Sequence, residues 1–123
     1  MARFSYQDES VSDETLQQIC PLTVTQNVIA GRWKIVILWH LSQTEMIRFS
    51  ALLKKLPGIS KGILTRQLRE LEEDELVHRE VYKVVPPKVE YSLTEQGQKF
   101  IPVLAAMQVW GKEFINKKIE IKK

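Results

Sequence analysis

The sequence is poor in the residues that build most catalytic and metal-binding sites. It has one cysteine and two histidines among 123 residues. An internal disulfide is therefore excluded, and His40 and His78 lack the spacing of a zinc site. The chain has no glycine-rich phosphate loop, no nucleophile elbow and no spacing that suggests a catalytic triad. We therefore expect no metal, no cofactor and no enzymatic activity.

A long apolar run is also missing. The stretch IVILWHL at 35–41 is interrupted by His40 and is far shorter than the roughly 18 residues that a membrane-spanning helix needs. The first twenty residues carry four acids against one arginine, unlike a signal or transit peptide. Together with the single cysteine, these features predict a cytoplasmic, reducing environment and no membrane partner.

The charge is unevenly distributed along the chain. Residues 1–20 have a net charge of −3, and the other 103 residues have +6. A basic body suits a polyanionic partner, although many soluble domains are equally basic. We expect a partly ordered arm at 1–19, one domain at 20–116 and a frayed tail at 117–123.

Residues 49–73 have the pattern of a helix-turn-helix. The segment FSALLKKLPGIS predicts a short helix that stops at Pro57-Gly58, and Ser60 stands where the N-cap of a second helix belongs. About four residues join the two predicted helices. On a helical wheel, the second helix has a seam of Leu64, Leu68 and Leu71 and an opposite face that contains Lys61, Gly62, Thr65, Arg66 and Arg69. Such side chains reach phosphates and base edges in a major groove.

Acidic residues crowd the far end of the same helix. Asp74 lies roughly 20 Å along the axis from Lys61, whereas the N-terminal part of a recognition helix meets the bases. We expect the pairs Arg66 with Glu70 and Arg69 with Glu73, each at a spacing of four residues. The acids therefore do not exclude DNA binding. The alternative is a solvated charged face with no ligand.

The flanking segments predict the remaining elements. Residues 20–31 and 32–42 have helical patterns, and TEMIRF at 44–49 suits an edge strand. Alternation at 77–84 and 89–93, around a Pro-Pro turn flanked by Lys83 and Lys88, predicts a hairpin. Thr94 is expected to cap one long helix over 94–118. The fold class is mainly α with a small β-hairpin wing (α+β).

The closing helix carries more apolar residues than one small domain covers. They are Phe100, Ile101, Val103, Leu104, Met107, Val109, Trp110, Phe114 and Ile115. A second copy of the chain would cover the excess. Packing only against helices of its own chain is the alternative.

Three segments together resemble the HxlR-type (MarR-like) winged-helix transcriptional regulators of bacteria. They are CPLTVTQNVIAGRWKIVILWHL, RFSALLKKLPGISKGILTRQLRELEEDELVHREVY and VPPKVEYSLTEQGQKFIPVLAAMQVWG. The resemblance runs from about Cys20 to Gly111. No single motif is specific, but the ordered set is. One departure is Glu75, where the family usually has glycine; a left-handed conformation there would cost about 1 kcal/mol.

The resemblance implies a homodimeric regulator of duplex DNA, often a repressor. Residues 60–73 would be the recognition helix and residues 84–89 the wing tip. The DNA-contacting residues would be Arg48, Ser60, Lys61, Gly62, Thr65, Arg66, Arg69, Lys83, Pro86, Pro87 and Lys88. The terminal helices would form the dimer interface through Leu22, Val24, Val28, Leu104, Met107, Trp110 and Phe114. A twofold dimer predicts a palindromic operator with half-sites about 34 Å apart.

Cys20 directly precedes a predicted helix that begins with Pro21. A thiol at this position interacts with the positive end of the helix dipole, which lowers its pKa. In several regulators that resemble this chain, the cysteine here senses oxidants or electrophiles; a plain buried cysteine is the alternative. A small-molecule or oxidant effector is therefore a further expected partner. A winged-helix protein-interaction module without DNA binding is the second functional hypothesis.

Overall fold

The computed structural model describes residues 10–122. Within this range the chain forms seven helices and three strands. The helices are α1 (Asp13–Gln18), α2 (Pro21–Ile29), α3 (Lys34–Ser42), α4 (Phe49–Lys54), α5 (Lys61–Glu73), α6 (Glu95–Gln98) and α7 (Ile101–Lys122). The strands are β1 (Ile47–Arg48), β2 (Val77–Tyr82) and β3 (Lys88–Leu93). The predicted arm at 1–19 lies partly outside the described residues.

The core lies between α3, α4, α5 and the sheet. Its fully buried side chains are Ile37, Leu38, Leu41, Leu52, Leu56, Leu64, Leu68, Leu71 and Val77. The leucines of α5 recur every three or four residues and therefore face the core together. Two features of α3 differ from the sequence pattern. The apolar Val36 is exposed, and the charged Lys34 is completely buried.

The three strands form one antiparallel sheet in the order β1-β3-β2. The hairpin pairs Val77 with Leu93 and Tyr82 with Lys88, so residues 83–87 form its tip. The Val85–Pro86 peptide bond in this tip is cis. The edge strand β1 pairs Ile47 with Tyr91. The predicted combination of a mainly helical chain with a β-hairpin wing is confirmed.

The single closing helix predicted over 94–118 is wrong, because the structure divides it into α6 and α7. Thr94 caps α6 as predicted, and its side chain accepts a hydrogen bond from the backbone N–H of Gly97. The break at 99–100 precedes Pro102, which has no N–H and whose ring would clash with the carbonyl of residue 98 in a continuous helix. Helix α7 then continues through 117–122, where the sequence predicts fraying. No glycine or proline interrupts these residues.

The first two helices lie outside the core. Ser12 caps α1 through a hydrogen bond from Thr15 N to its Oγ, and α1 has no buried residue. Helix α2 begins with Pro21 at its first position, where the missing N–H costs little. It reaches the core only through the partly buried Val28 and Ile29. Most of α1 and α2 is therefore exposed in the single chain.

Candidate nucleic-acid interface

The candidate site begins at the turn between α4 and α5. This turn contains six residues, 55–60, rather than the predicted four, because α4 ends at Lys54 before Pro57-Gly58. Gly58 has φ of +91°, and a Cβ atom added there would lie 4.0 Å from Cη2 of Trp33. Ser60 caps α5 by accepting a hydrogen bond of 3.1 Å from the backbone N–H of Ile63. The N-terminal turn of α5 is therefore fixed at the surface.

The outer face of α5 is basic and open. Lys61, Gly62, Arg66 and Arg69 are exposed, opposite the buried leucine seam. A Cβ atom added to Gly62 would meet no atom within 4 Å, so another backbone can approach closely there. Thr65 is half-buried and donates its hydroxyl proton to the carbonyl of Lys61 at 2.8 Å. Its hydroxyl oxygen remains an acceptor.

The two ion pairs predicted along α5 are wrong. Glu70 pairs with the buried Lys34 of α3, with 2.7 Å between Oε1 and Nζ. Within residues 10–122, neither Arg66 nor Arg69 has an ion-pair partner. Packing of α3 against α5 brings Lys34 closer to Glu70 than the helix surface brings Arg66. Both arginines thus keep their charge available at the surface.

The residues of the wing are not all equally accessible to a ligand. Lys83, Pro86 and Pro87 are exposed, but the ammonium group of Lys88 lies 2.8 Å from Oε1 of Glu90 and 4.8 Å from the ring centroid of Tyr82. Glu90 is only 8% exposed. A phosphate must therefore compete with the Glu90 carboxylate for the ammonium group of Lys88.

Arg48 lies at the edge of the sheet. It is exposed, and it is the cross-strand neighbour of Glu90 on β3. It also stands at the N-cap of α4. Arg48 is therefore exposed at the start of the helix-turn-helix.

Arg79 is a basic residue of this surface that the sequence analysis did not include. It is exposed on β2, directly opposite Tyr91 on β3. With Thr65, Arg69, Glu72 and Tyr91 it lines a notch of about 130 Å³ between α5 and the wing. Strand alternation places Arg79 on the same face as the buried Val77, toward α5. That alternation was the available signal, but the sequence alone does not show which face meets α5.

Cys20 lies outside this surface, at the N-cap of α2. It is exposed and free, so the alternative of a buried cysteine is wrong. The backbone N–H groups of Thr23 and Leu22 at the start of α2 hold the pKa of the thiol below its ordinary value, and the Thr23 side chain adds to the effect. Lowering the pKa increases the thiolate fraction near neutral pH, and with it the reactivity of the sulfur.

The histidines give no second site. Burial, followed by the charge of Lys55, lowers the pKa of His40, and His78 pairs with Glu80 at 2.8 Å. Among residues 10–122, no three His, Cys, Asp or Glu side chains converge to hold a metal ion. No helix in the same range has the length and apolar character needed to cross a membrane.

The predicted dimer residues divide into two groups. Leu104 is buried in the core of its own chain and has little surface left for a partner. Met107, Trp110 and Phe114 are exposed on α7, and the last two rings stack with centroids 5.2 Å apart. On α2, Leu22 is exposed, whereas Val24 and Val28 are half-buried. An exposed apolar surface therefore remains on both terminal helices.

The match to known proteins covers the helix-turn-helix, the wing and most of α7. Residues 28–119 match the model of the HxlR-like helix-turn-helix family. The chain belongs to this family. The HTH-type transcriptional regulator YdeP of Bacillus subtilis (strain 168) is 50% identical over 95 residues, which cover 77% of this chain and 73% of YdeP.

Solved structures of similar proteins agree with this family. The redox regulator HypR in its reduced form is 46% identical, with a TM-score of 0.73 and coverage of 76% of this chain and 92% of HypR. The HTH-type regulator YtcD is 44% identical, with a TM-score of 0.75 and coverage of 80% and 99%. This HxlR-like chain is a transcriptional regulator, and the prediction that it is not an enzyme is confirmed by its family.

Proposed function

We propose that this HxlR-like regulator binds duplex DNA sequence-specifically as a homodimer and acts as a repressor. The observation that carries the proposal is the exposed face of α5, which presents Lys61, Arg66 and Arg69 opposite a completely buried leucine seam. The helix is capped at the end that would meet the bases. An open basic face on a fixed helix suits the major groove.

The proposed contacts divide between bases and phosphates. Lys61, Thr65 and Arg66 occupy the first half of α5 and would contact base edges, because that half of a recognition helix enters the groove. Ser60, Arg69 and Arg79 would contact the sugar-phosphate backbone, which positions the protein without reading sequence. The C-terminal acids lie outside the groove.

The wing would extend the contact along the duplex. Its tip contains the exposed Lys83, Pro86 and Pro87, and these would touch the backbone or the minor groove beside the half-site. Arg48 would add a backbone contact at the start of α4. Lys88 would contribute less than its charge suggests, because Glu90 holds its ammonium group.

Selection of duplexes from a randomised library tests the proposal. We expect the protein to select a palindrome and to bind it far more tightly than a scrambled duplex. Affinity should fall steeply with salt, because phosphate contacts release counterions. A chain that selects no duplex in either redox state would contradict the proposal and favour a protein-docking module instead.

Redox control through Cys20 is a second, separable part of the proposal. It is supported by the exposure of the only thiol, by its lowered pKa, and by the similarity to HypR, which is described as a redox regulator and is known in reduced and oxidised forms. With one cysteine per chain, the oxidised form would be a disulfide to a second chain or to a small thiol.

Alkylation kinetics and DNA titration test this part together. Because the pKa is lowered, the alkylation rate should reach half its maximum at a lower pH than for a free thiol. Treatment with peroxide or a quinone should then change DNA affinity in the natural chain but not in Cys20→Ser. An ordinary alkylation profile with unchanged affinity after oxidation would leave Cys20 without a sensing role.

A further inference from the structure

Two polar side chains, those of Lys34 on α3 and Gln67 on α5, are buried, and Lys34 pairs with the partly buried Glu70 of α5. These three residues are called the polar seam. Lys34 has no solvent exposure and Gln67 is 6% exposed. Lys34 Nζ lies 2.7 Å from Oε1 of Glu70, whose side chain is 23% exposed. The contact is an ion pair rather than a well-aligned hydrogen bond. A lysine is rarely buried this completely unless its charge is paired.

Gln67, the third residue of the polar seam, packs against the α2–α3 junction. The amide of Gln67 lies against Gly31, where an added Cβ atom would be 2.7 Å from Oε1. Gly31 also has φ of +126°. Gln67 Oε1 is buried and accepts no hydrogen bond from the described part of the chain. A buried ion pair is weak evidence for stability, so this seam is a candidate for a positioning role.

Close packing of the leucine seam fixes which face of α5 is buried. The ion pair adds a contact between charged groups to this apolar packing. A rotation of α5 that separated the two partners would leave a buried charge uncompensated. Glu70 is one turn from Arg66 and about 40° from it around the helix axis. The direction in which Arg66 points is therefore tied to Lys34.

We propose that the Lys34–Glu70 ion pair fixes the rotation of α5 about its own axis, which makes both residues positioning residues for DNA recognition. This inference rests on the proposed DNA-binding function. The pair also draws the Glu70 carboxylate toward α3 and away from the side where a phosphate backbone would lie. The Glu70 carboxylate near Arg66 is consequently neutralised by Lys34, so it would repel the phosphates of a duplex less than an unpaired carboxylate.

The double substitution Lys34→Met with Glu70→Leu separates positioning from stability. It removes one charge of each sign, so the net charge is unchanged. Apolar replacement of a buried ion pair is often neutral or stabilising, so the urea midpoint should equal or exceed that of the natural chain. The ratio of Kd for a scrambled duplex to Kd for the selected duplex should fall by about tenfold. The salt slope should stay the same, because no phosphate contact is lost.

Two further variants make the result specific. Glu95→Gln with Lys99→Gln removes the same charges from exposed positions and should leave selectivity unchanged. Glu70→Asp keeps the charge but shortens the side chain by one methylene, so the ion pair can re-form only if α5 moves. Selectivity should fall in this folded variant as well, which covers the case in which the apolar double variant does not fold.

The outcomes distinguish this inference from the function on which it rests. Natural selectivity in the folded double variant or in Glu70→Asp would overturn the positioning role while leaving DNA binding intact. Equal losses in the Glu95/Lys99 control would show a general charge effect and overturn it too. If the natural chain selects no duplex, the proposed function itself fails.

Discussion

Glu75 is the residue whose backbone conformation most clearly conflicts with its side chain. It has φ of +63°, and it occupies the position after the C-cap of α5. Its N–H donates to the carbonyl of Glu72, and the N–H of Leu76 donates to the carbonyl of Leu71. These two bonds define a Schellman motif, in which glycine is the usual residue at this position.

Replacing Glu75 with glycine should therefore stabilise the protein. We expect the free energy of unfolding to rise by about 1 kcal/mol, because the left-handed conformation costs glycine no Cβ clash. Urea denaturation measures the change. Glu72→Gly, at an exposed position inside the same helix, is the matched control and should destabilise by about 1 kcal/mol. Destabilisation by both substitutions would contradict this account of Glu75.

Arg66 is the residue on which sequence recognition should depend most. It is exposed in the first half of α5 and has no ion-pair partner among the described residues. Arg66→Ala should weaken binding to the selected duplex by about 1–3 kcal/mol and reduce discrimination against the scrambled one. Lys112→Ala, which removes an exposed charge from α7, should have little effect. Full-strength selective binding by Arg66→Ala would show that α5 does not read the bases.

At the scale of single elements, the wing contains the exposed Lys83 and also Lys88, whose charge is paired with Glu90. Lys88→Ala should weaken binding to all sequences alike, because a phosphate contact carries no sequence information. The log–log salt slope should fall by less than about one unit per protomer, since Glu90 already competes for the ammonium group. Filter binding at several salt concentrations measures this slope.

The opposite substitution provides the control for the wing. Glu90→Gln frees the ammonium group of Lys88 and removes a negative charge from the sheet, so it should strengthen binding to every duplex. Weaker binding in both variants would indicate that the Lys88–Glu90 pair stabilises the structure of the wing rather than limiting its positive charge.

The elements were largely predictable, but their mutual orientation was not. The period of the leucines, Ser60 at the N-cap and the alternation around the Pro-Pro turn predicted α5 and the hairpin. The burial of Lys34 could not be inferred, because its partner Glu70 lies 36 residues away and α5 must first pack on α3. The orientation of Arg79 toward α5 was hidden for the same reason. Local patterns specify elements, whereas paired charges between elements need the folded chain.

At the scale of the whole molecule, α7 determines the proposed assembly. Met107, Trp110 and Phe114 follow Val103 at helical spacing and form an exposed stripe, with Trp110 66% exposed. A stripe of this kind in a small domain is a candidate interface. The proposed dimer buries it against a second copy and sets the distance between two recognition helices.

Charge placed in this stripe should separate the protomers. We expect Trp110→Asp to shift the protein from dimer to monomer in sedimentation equilibrium, because the substitution would bury an unpaired carboxylate at the interface. Affinity for the palindrome should fall with it, whereas a half-site duplex should be affected less. Asn116→Asp, which adds the same single negative charge at an exposed position of α7, is the charge-matched control. A Trp110→Asp variant that remains dimeric would move the interface elsewhere.

The close contact between Gly97 and Leu76, the residue before β2, limits which side chains position 97 can accept. A Cβ atom on Gly97 would lie 2.1 Å from the carbonyl oxygen of Leu76, and Thr94 N donates to that same oxygen. Even alanine would force α6 away from the residues that follow α5. Position 97 should therefore be nearly immutable in a saturation library, whereas Gly62, inside the proposed DNA-binding surface, should accept alanine without loss of folding. The position least tolerant of mutation in this regulator would thus lie where α6 packs against Leu76, outside the proposed DNA-binding surface.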